Sequence, residues 1–186
     1  MGTPAAVKVG PGLVYVAPIG TTEPTTVSGA LPSAWIPVGY TESGSTFTSN
    51  VTYEDIEVAE ELDPIRTTAT KRVTTFKLDM AEINAQNWSI AFNGGTIGTP
   101  TGGYVTFEPP DLGTEQRLML VWSSDDAQER LLCRRVLQVG TIETARQKAP
   151  NKSLIPAEFR LEIPTDGSAV FKMWEPSALS YDDVHA

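Results

Sequence analysis

The side chains in this sequence that could do chemistry are carboxylates. The stretch YEDIEVAEELDPIRTT, residues 53–68, carries Glu54, Asp55, Glu57, Glu60, Glu61 and Asp63 threaded through Ile56, Val58 and Leu62, with Arg66 just past Pro64. Two carboxyls about 5–9.5 Å apart could hydrolyse a glycosidic bond. A convergent set could hold calcium, which takes about 6–8 oxygens. The element that must carry them argues against both. On a strand, side chains two apart stand roughly 7 Å apart and project in parallel, so these acids form a stripe. Other chemistry thins out quickly. His185 is the one histidine, penultimate in the chain, and a catalytic base must be held to about half an ångström. Ser–His–Asp and Cys–His schemes therefore have no base. Cys133 is the one cysteine, which leaves no intrachain disulfide or thiolate zinc site. Its LLCRRVL context reads as a small buried hydrophobe. No P-loop, dinucleotide-binding fingerprint or HExxH occurs. No enzymatic role, cofactor or metal is expected.

Size and charge narrow the classes further. With 186 residues, 40% hydrophobic and 20% charged, the chain reads as one domain, neither disordered nor membranous. No apolar run approaches the roughly 20 residues of a spanning helix. The start MGTPAAVKVGPG lacks the apolar centre of a secretory signal. The expectation is a chain made in a cytoplasm, or assembled there into something larger. Residues 1–63 hold one base, Lys8, against eight acids, while residues 64–186 hold thirteen bases against fifteen acids. The net charge of −9 argues against gripping DNA by counterion release, which needs clustered Lys and Arg. A protein that stays near DNA without sticking to it remains compatible.

Strand signals dominate the elements. LVYVAPI (13–19) and WIPVGYT (35–41) are short strands around a polar Pro/Gly loop, 20–34, expected to be mobile. TFTSNVTYEDIEVAEEL (46–62) is one long strand or two joined at a bulge. Phe47, Val51 and Tyr53 share one parity and Ile56, Val58 and Leu62 the other, which places the bulge between Tyr53 and Ile56. Asp55, Glu57 and Glu61 then point away from the apolar row. KRVTTFKLDMAEI (71–83) follows as a strand. NAQNWSIAFNGG is the one confident helix, about 84–93, with Asn84 as N-cap and Asn93-Gly94-Gly95 as its stop. Ala81, Ala85, Trp88 and Phe92 fall on a single stripe, the expected core anchors. A short strand is expected at Tyr104–Phe107, and RLMLVWS (117–123) is apolar on both faces. ERLLCRRVLQVGTI (129–142) fits a helix through Leu131, Leu132, Val136 and Val139. It also fits a strand through Leu131, Cys133, Leu137 and Val139, and its strand-rich setting and terminal Gly140 favour the strand. LIPAEFRLEIP (154–164) and AVFKMW (169–174) flank Thr165-Asp166-Gly167-Ser168, a hairpin signal. Residues 175–186 read as a loose tail. The fold class is mainly β, a sandwich or barrel of about eight to ten strands crossed by one helix.

An acidic stripe so unmixed with lysine needs a reason, since interleaved Lys would relieve its repulsion. The order of pieces VYVAPIGTTEPT, LPSAWIPVGYTESG, EVAEELDPIRT and TTFKLDMAEINAQNWSIAFNGG, with PNKSLIPAEFRLEIPTDGS later, resembles the major tail protein, or tail tube protein, of long-tailed, non-contractile phages of siphovirus type. The resemblance is particularly to those of actinobacterial hosts. The resemblance covers most of the chain. It implies a single tail-tube domain over 1–186, a β-barrel-like fold with a flanking helix, and a location in the virion tail. It implies homo-oligomeric, hexameric rings stacked around a tape-measure protein. Tail terminator and distal tail proteins would be further partners, and phage DNA would pass without tight binding. Asp55, Glu57 and Glu61 would then face the channel, with Ile56, Val58 and Leu62 packed outward under the helix stripe. Residues 20–34, 63–72 and 175–186 become candidate inter-ring arms, with Arg66, Lys71 and Arg72 meeting acids of an adjacent subunit. The Arg134-Arg135 pair departs from the family pattern. A contractile-tail or secretion tube protein and a soluble carbohydrate-binding or adhesin-like β-sandwich are the rival readings. Trp35, Trp88, Trp122 and Trp174 lie in apolar-patterned segments, which suits core roles better than an exposed aromatic face.

Overall fold

A computed structural model describes residues 10–126 and 129–175. Ten strands and one helix follow in chain order: β1 (Leu13–Pro18), β2 (Ile36–Pro37), β3 (Thr41–Ile56), β4 (Arg66–Met80), α1 (Ala85–Ala91), β5 (Thr96–Ile97), β6 (Phe107–Glu108), β7 (Leu118–Ser123), β8 (Arg130–Gln138), β9 (Ile155–Leu161) and β10 (Phe171–Trp174). The main sheet is antiparallel in the order β2-β1-β7-β8-β9-β4-β3, with β10 also on β8, and β5-β6 form a separate ribbon. The mainly β expectation holds. The tail 176–186, with His185, lies outside the described residues.

The sheet buries apolar side chains on both faces of its centre. Val14 and Val16 of β1, Leu120 of β7, Cys133 and Val136 of β8, and Phe76, Leu78 and Met80 of β4 share the main core. On the opposite face Ala17, Met119, Val121 and Leu132 form a second cluster under Trp35. This double cover is why β7 is apolar in both parities. Residues 20–34 supply that cover. Trp35 Nε1 donates to the Thr22 carbonyl at 3.1 Å, and Arg134 Nε donates to Glu23 at 2.6 Å. Arg130 Nη1 donates to the Thr26 carbonyl at 2.8 Å.

Strand β8 resolves the helix-or-strand ambiguity through a bulge. Leu118 pairs with Val136 and Leu120 with Cys133, so two residues, Arg134 and Arg135, oppose Met119 alone. The bulge shifts parity. Leu131, Cys133 and Val136 therefore reach the same core, while Val139, expected on that face, is 50% exposed. A mixed spacing of two and three is what made the segment resemble a helix. Burial pushes the Cys133 thiol up to about 12, leaving almost no thiolate to react. Maleimide labelling of the native protein at pH 8 is expected to track unfolding only, and prompt labelling in the absence of denaturant would contradict this burial.

The Thr165–Ser168 turn is present, with Gly167 at φ 75° and its N–H bonded to the Pro164 carbonyl at 3.1 Å. It does not close a hairpin. β9 pairs with β8 at Val136–Gln138, and β10 pairs with β8 at Arg130–Cys133. The two strands lie in succession along one edge of β8, handed over at the bulge. A turn motif specifies a local reversal, whereas the free edge of β8 decides what the chain pairs with afterwards.

Helix α1 begins as the sequence requires, with Asn84 Oδ1 accepting from Asn87 N–H at 2.8 Å. Its buried side is rotated from the expected stripe. Asn87, Ile90 and Ala91 are buried, and Trp88 is half-buried against the main core. Ala81 precedes the helix, and Phe92, 36% exposed, stacks between Trp88 and Phe107. The ribbon β5-β6 draws the aromatic row to itself, leaving the neighbouring row for the sheet.

Candidate assembly surface

The acidic stretch lies on the outer half of the β3–β4 hairpin. The inner half belongs to the body, where Phe76 and Leu78 face Phe159 and Ala157 of β9. Beyond it every residue from Thr52 to Arg72 is exposed. Thr52–Ile56 alone adds roughly 16 Å of reach at about 3.3 Å per residue. The ladder continues through Tyr53 opposite Ala69, Glu54 opposite Thr68, Asp55 opposite Thr67 and Ile56 opposite Arg66. It is held by pairing within one hairpin, without a core beneath it.

Two details depart from expectation. Strand β3 stops at Ile56, so Glu57, Glu60, Glu61 and Asp63 occupy the tip loop. The chain turns back there through Glu61 N–H on the Val58 carbonyl at 3.4 Å and Ile65 N–H on the Ile56 carbonyl at 3.0 Å. The bulge falls between Thr52 and Tyr53, with the extra residue, Thr70, on β4, so β3 keeps its parity. Tyr53 and Asp55 continue the row of Phe47, whereas Glu54 and Ile56 lie on the opposite row. Ile56, Val58 and Leu62 do not pack under the helix. They are 47%, 37% and 104% exposed, and α1 packs instead on β9 and the β5-β6 ribbon.

The tip charges find no partners at home. Asp55 accepts a hydrogen bond from Thr67 Oγ1 at 2.6 Å. No ion pair among the described residues involves the six acids of 54–63 or Arg66, Lys71 and Arg72. Arg66 and Lys71 share the row of Glu54 and Ile56, and Arg72 pairs opposite Val51 in the other row. Exposed apolar side chains and uncompensated charges of both signs thus sit together on one extended arm.

The body presents a second surface, the outward face of β3, β4 and β9. Thr46 and Thr48, Thr75 and Lys77, and Glu158 and Arg160 alternate with the core residues there. Most of its cations are neutralised locally. Lys77 Nζ lies 2.9 Å from Glu158. Arg135 and Arg117 both donate to Glu162 Oε2, at 2.9 and 3.2 Å. Burial pushes the Glu162 carboxyl up, but the two guanidinium hydrogen bonds outweigh it and hold it below the ordinary range. Arg134 clamps Glu23 and the Ala169 carbonyl, Arg135 clamps Glu162, and together they fasten both sides of the bulge.

Sequence reading missed two asparagines. Asn87 Nδ2 donates to the carbonyls of Val38 and Glu82 at 3.0 and 2.8 Å. Asn93, at φ 57°, exchanges two hydrogen bonds with the Gln138 backbone at 2.8 and 2.7 Å. The Asn-Gly-Gly sequence signalled the left-handed turn and said nothing of the side chain's target. Among the described residues no group of three or more His, Cys, Asp or Glu converges as a metal site, and no helix is long and apolar enough to cross a membrane.

A β domain that carries its unpartnered charge and apolar surface on a projecting hairpin is a building block for assembly. The family comparison agrees: residues 2–151 match the phage tail tube protein family, and the chain belongs to that family. It is a structural component of a phage tail, a virion protein that assembles with other tail proteins. No curated protein matches it. Among solved structures, a chain of the anti-feeding prophage baseplate, determined by cryo-EM with 6-fold symmetrisation, is similar at 12% identity and a TM-score of 0.47, over 94% of this chain and 98% of that one.

Proposed function

We propose that the chain forms hexameric rings that stack into the tail tube of a non-contractile, siphovirus-type phage of an actinobacterial host, around a tape-measure protein, with terminator and distal tail proteins at the ends. The lumen then conducts DNA during ejection. The observation that carries this reading is the projecting hairpin, exposed from Thr52 to Arg72. Its Tyr53, Ile56, Leu62 and Ile65 are exposed apolar groups that an assembly would cover. Arg66, Lys71 and Arg72 would meet acids of an adjacent subunit.

Electrostatics supports the conducting role. DNA carries one negative charge per roughly 1.7 Å of duplex, and a protein that neutralises only about 6–10 phosphates already binds it tightly at low salt. Sixfold symmetry would multiply every free cation on the wall. Pairing Lys77 with Glu158 and two arginines with Glu162 limits the grip of the outward sheet face, where Arg160 has no ion pair among the described residues. Asp55, Glu57 and Glu61, which have no basic partner among the described residues, would add an anionic lining where the hairpin meets the channel. The field acts only over a Debye length of about 8 Å at physiological salt.

Electron microscopy of the purified protein tests the assembly. Hexameric rings or tubes are expected, and a strict monomer at high concentration would refute it. A virion carrying Asp55→Lys, Glu57→Lys and Glu61→Lys tests the lining. Ejection at low salt is expected to slow by at least about tenfold and to recover as salt rises. Unchanged ejection would remove these three carboxylates from the channel.

A further inference from the structure

Among the described residues one buried charge in the body lacks a counter-ion. Arg130, at the start of β8, is 6% exposed. Its Nε donates to Ser123 Oγ at 2.9 Å and its Nη1 to the Thr26 carbonyl at 2.8 Å. No carboxylate among the described residues pairs with it. Burial lowers the guanidinium's proton affinity. A buried cation without a counter-ion is expensive to keep. This one lines a cavity of about 440 Å³ between β1 and residues 27–35, whose walls mix Leu13, Val27 and Leu31 with Ser28 and Ser33. The cavity therefore offers one cationic centre in a partly apolar cleft.

The hairpin tip is its complement. Leu62 is fully exposed and is followed by Asp63, which has no ion-pair partner among the described residues. We infer that the tip loop of a neighbouring copy docks in this cavity, with Leu62 against its apolar wall and the Asp63 carboxylate on Arg130. This inference rests on the assembly reading and names the surface that receives the arm. Burying the pair excludes water from a charge-assisted hydrogen bond, which strengthens it. It also closes off the exposed leucine.

Cross-linking tests the contact without disturbing Arg130. The single native cysteine, Cys133, is buried, so added thiols are read cleanly. In assembled tubes a Leu62→Cys/Ser28→Cys variant treated with a short bismaleimide is expected to give a ladder of covalent oligomers, absent from either single variant. Arg130→Gln is expected to raise the concentration needed for assembly by at least about tenfold, since truncating one partner of a buried charge pair is costly. Its melting temperature, measured alongside, separates this from misfolding. Tubes that form but do not cross-link overturn the docking and leave the ring reading intact. Wild-type protein that forms no rings or tubes overturns both. A cross-link that runs as monomer, or an Arg130→Gln effect that disappears on deleting residues 176–186, assigns the cavity to the chain's own segments and also defeats the proposal.

Discussion

Replacing residues 52–71 by Asn-Gly is expected to leave a folded protein that makes no tubes. Val51 and Arg72 are directly paired, so a two-residue turn can join them in register. The excised residues are all exposed and contribute nothing to either core cluster. Shortening the loop also lowers the entropy of closing the hairpin. The net change in stability should stay near 1 kcal/mol, which moves Tm by about 2–4 °C in a domain of this size. Assembly behaves differently. The deletion removes the tip acids, Arg66, Lys71, and the apolar Tyr53, Ile56, Leu62 and Ile65, which is the surface left unsatisfied in the single chain. Thermal unfolding followed by circular dichroism and negative-stain microscopy check the two halves separately. A cooperative melt with abundant normal tubes would show that the hairpin is not the assembly arm.

The largest effect on the isolated subunit is expected from Asn93→Ala. Asn93 is 8% exposed and stands where β7 begins, since the β7–β8 ladder stops at Leu118 and Val136. Its side-chain amide continues the ladder by one step, giving Nδ2–H to the Gln138 carbonyl and accepting the Gln138 N–H. Its own carbonyl accepts from Gln116 N–H at 2.7 Å. Alanine would orphan two buried backbone groups at about 1–3 kcal/mol each. It would also hold a left-handed φ that costs about 1–2 kcal/mol without a locally bonding side chain. A loss of about 3–5 kcal/mol is expected from these contributions, against a total stability of about 5–15 kcal/mol. Denaturant midpoints measure it. Asn93→Gly removes the backbone strain but not the orphaned groups, so it should recover only the smaller part. A loss below about 1 kcal/mol for alanine would contradict the clamp, because even one orphaned group exceeds it.

Legibility followed the range of the interaction. Asn84 as N-cap, β1 and β7 as strands, and β7 as apolar on both faces were readable because each depends on residues a few positions apart. The acidic stretch was readable as charge without local compensation, and the motif order pointed to the tail tube family that residues 2–151 match. The end of β3, the strand carrying the bulge, and the pairing of β9 and β10 were not readable. The row Ile56, Val58, Leu62 looked like a buried face by parity alone. Nothing in 53–63 records that no second layer lies over it.

From the sequence alone came a β protein with six acids gathered in 54–63, a single histidine at 185, and arginines at 134 and 135. Those are properties of composition and of a two-residue period, which the chain carries in one dimension. Tertiary structure decided that Arg134 and Arg135 sit at a bulge, that Asn93 acts as one rung of a ladder, and that the acids ride on a hairpin reaching past the core. Each of these depends on which distant strand arrives alongside. A single extra residue in one partner reverses every side chain beyond it, and no local pattern encodes that.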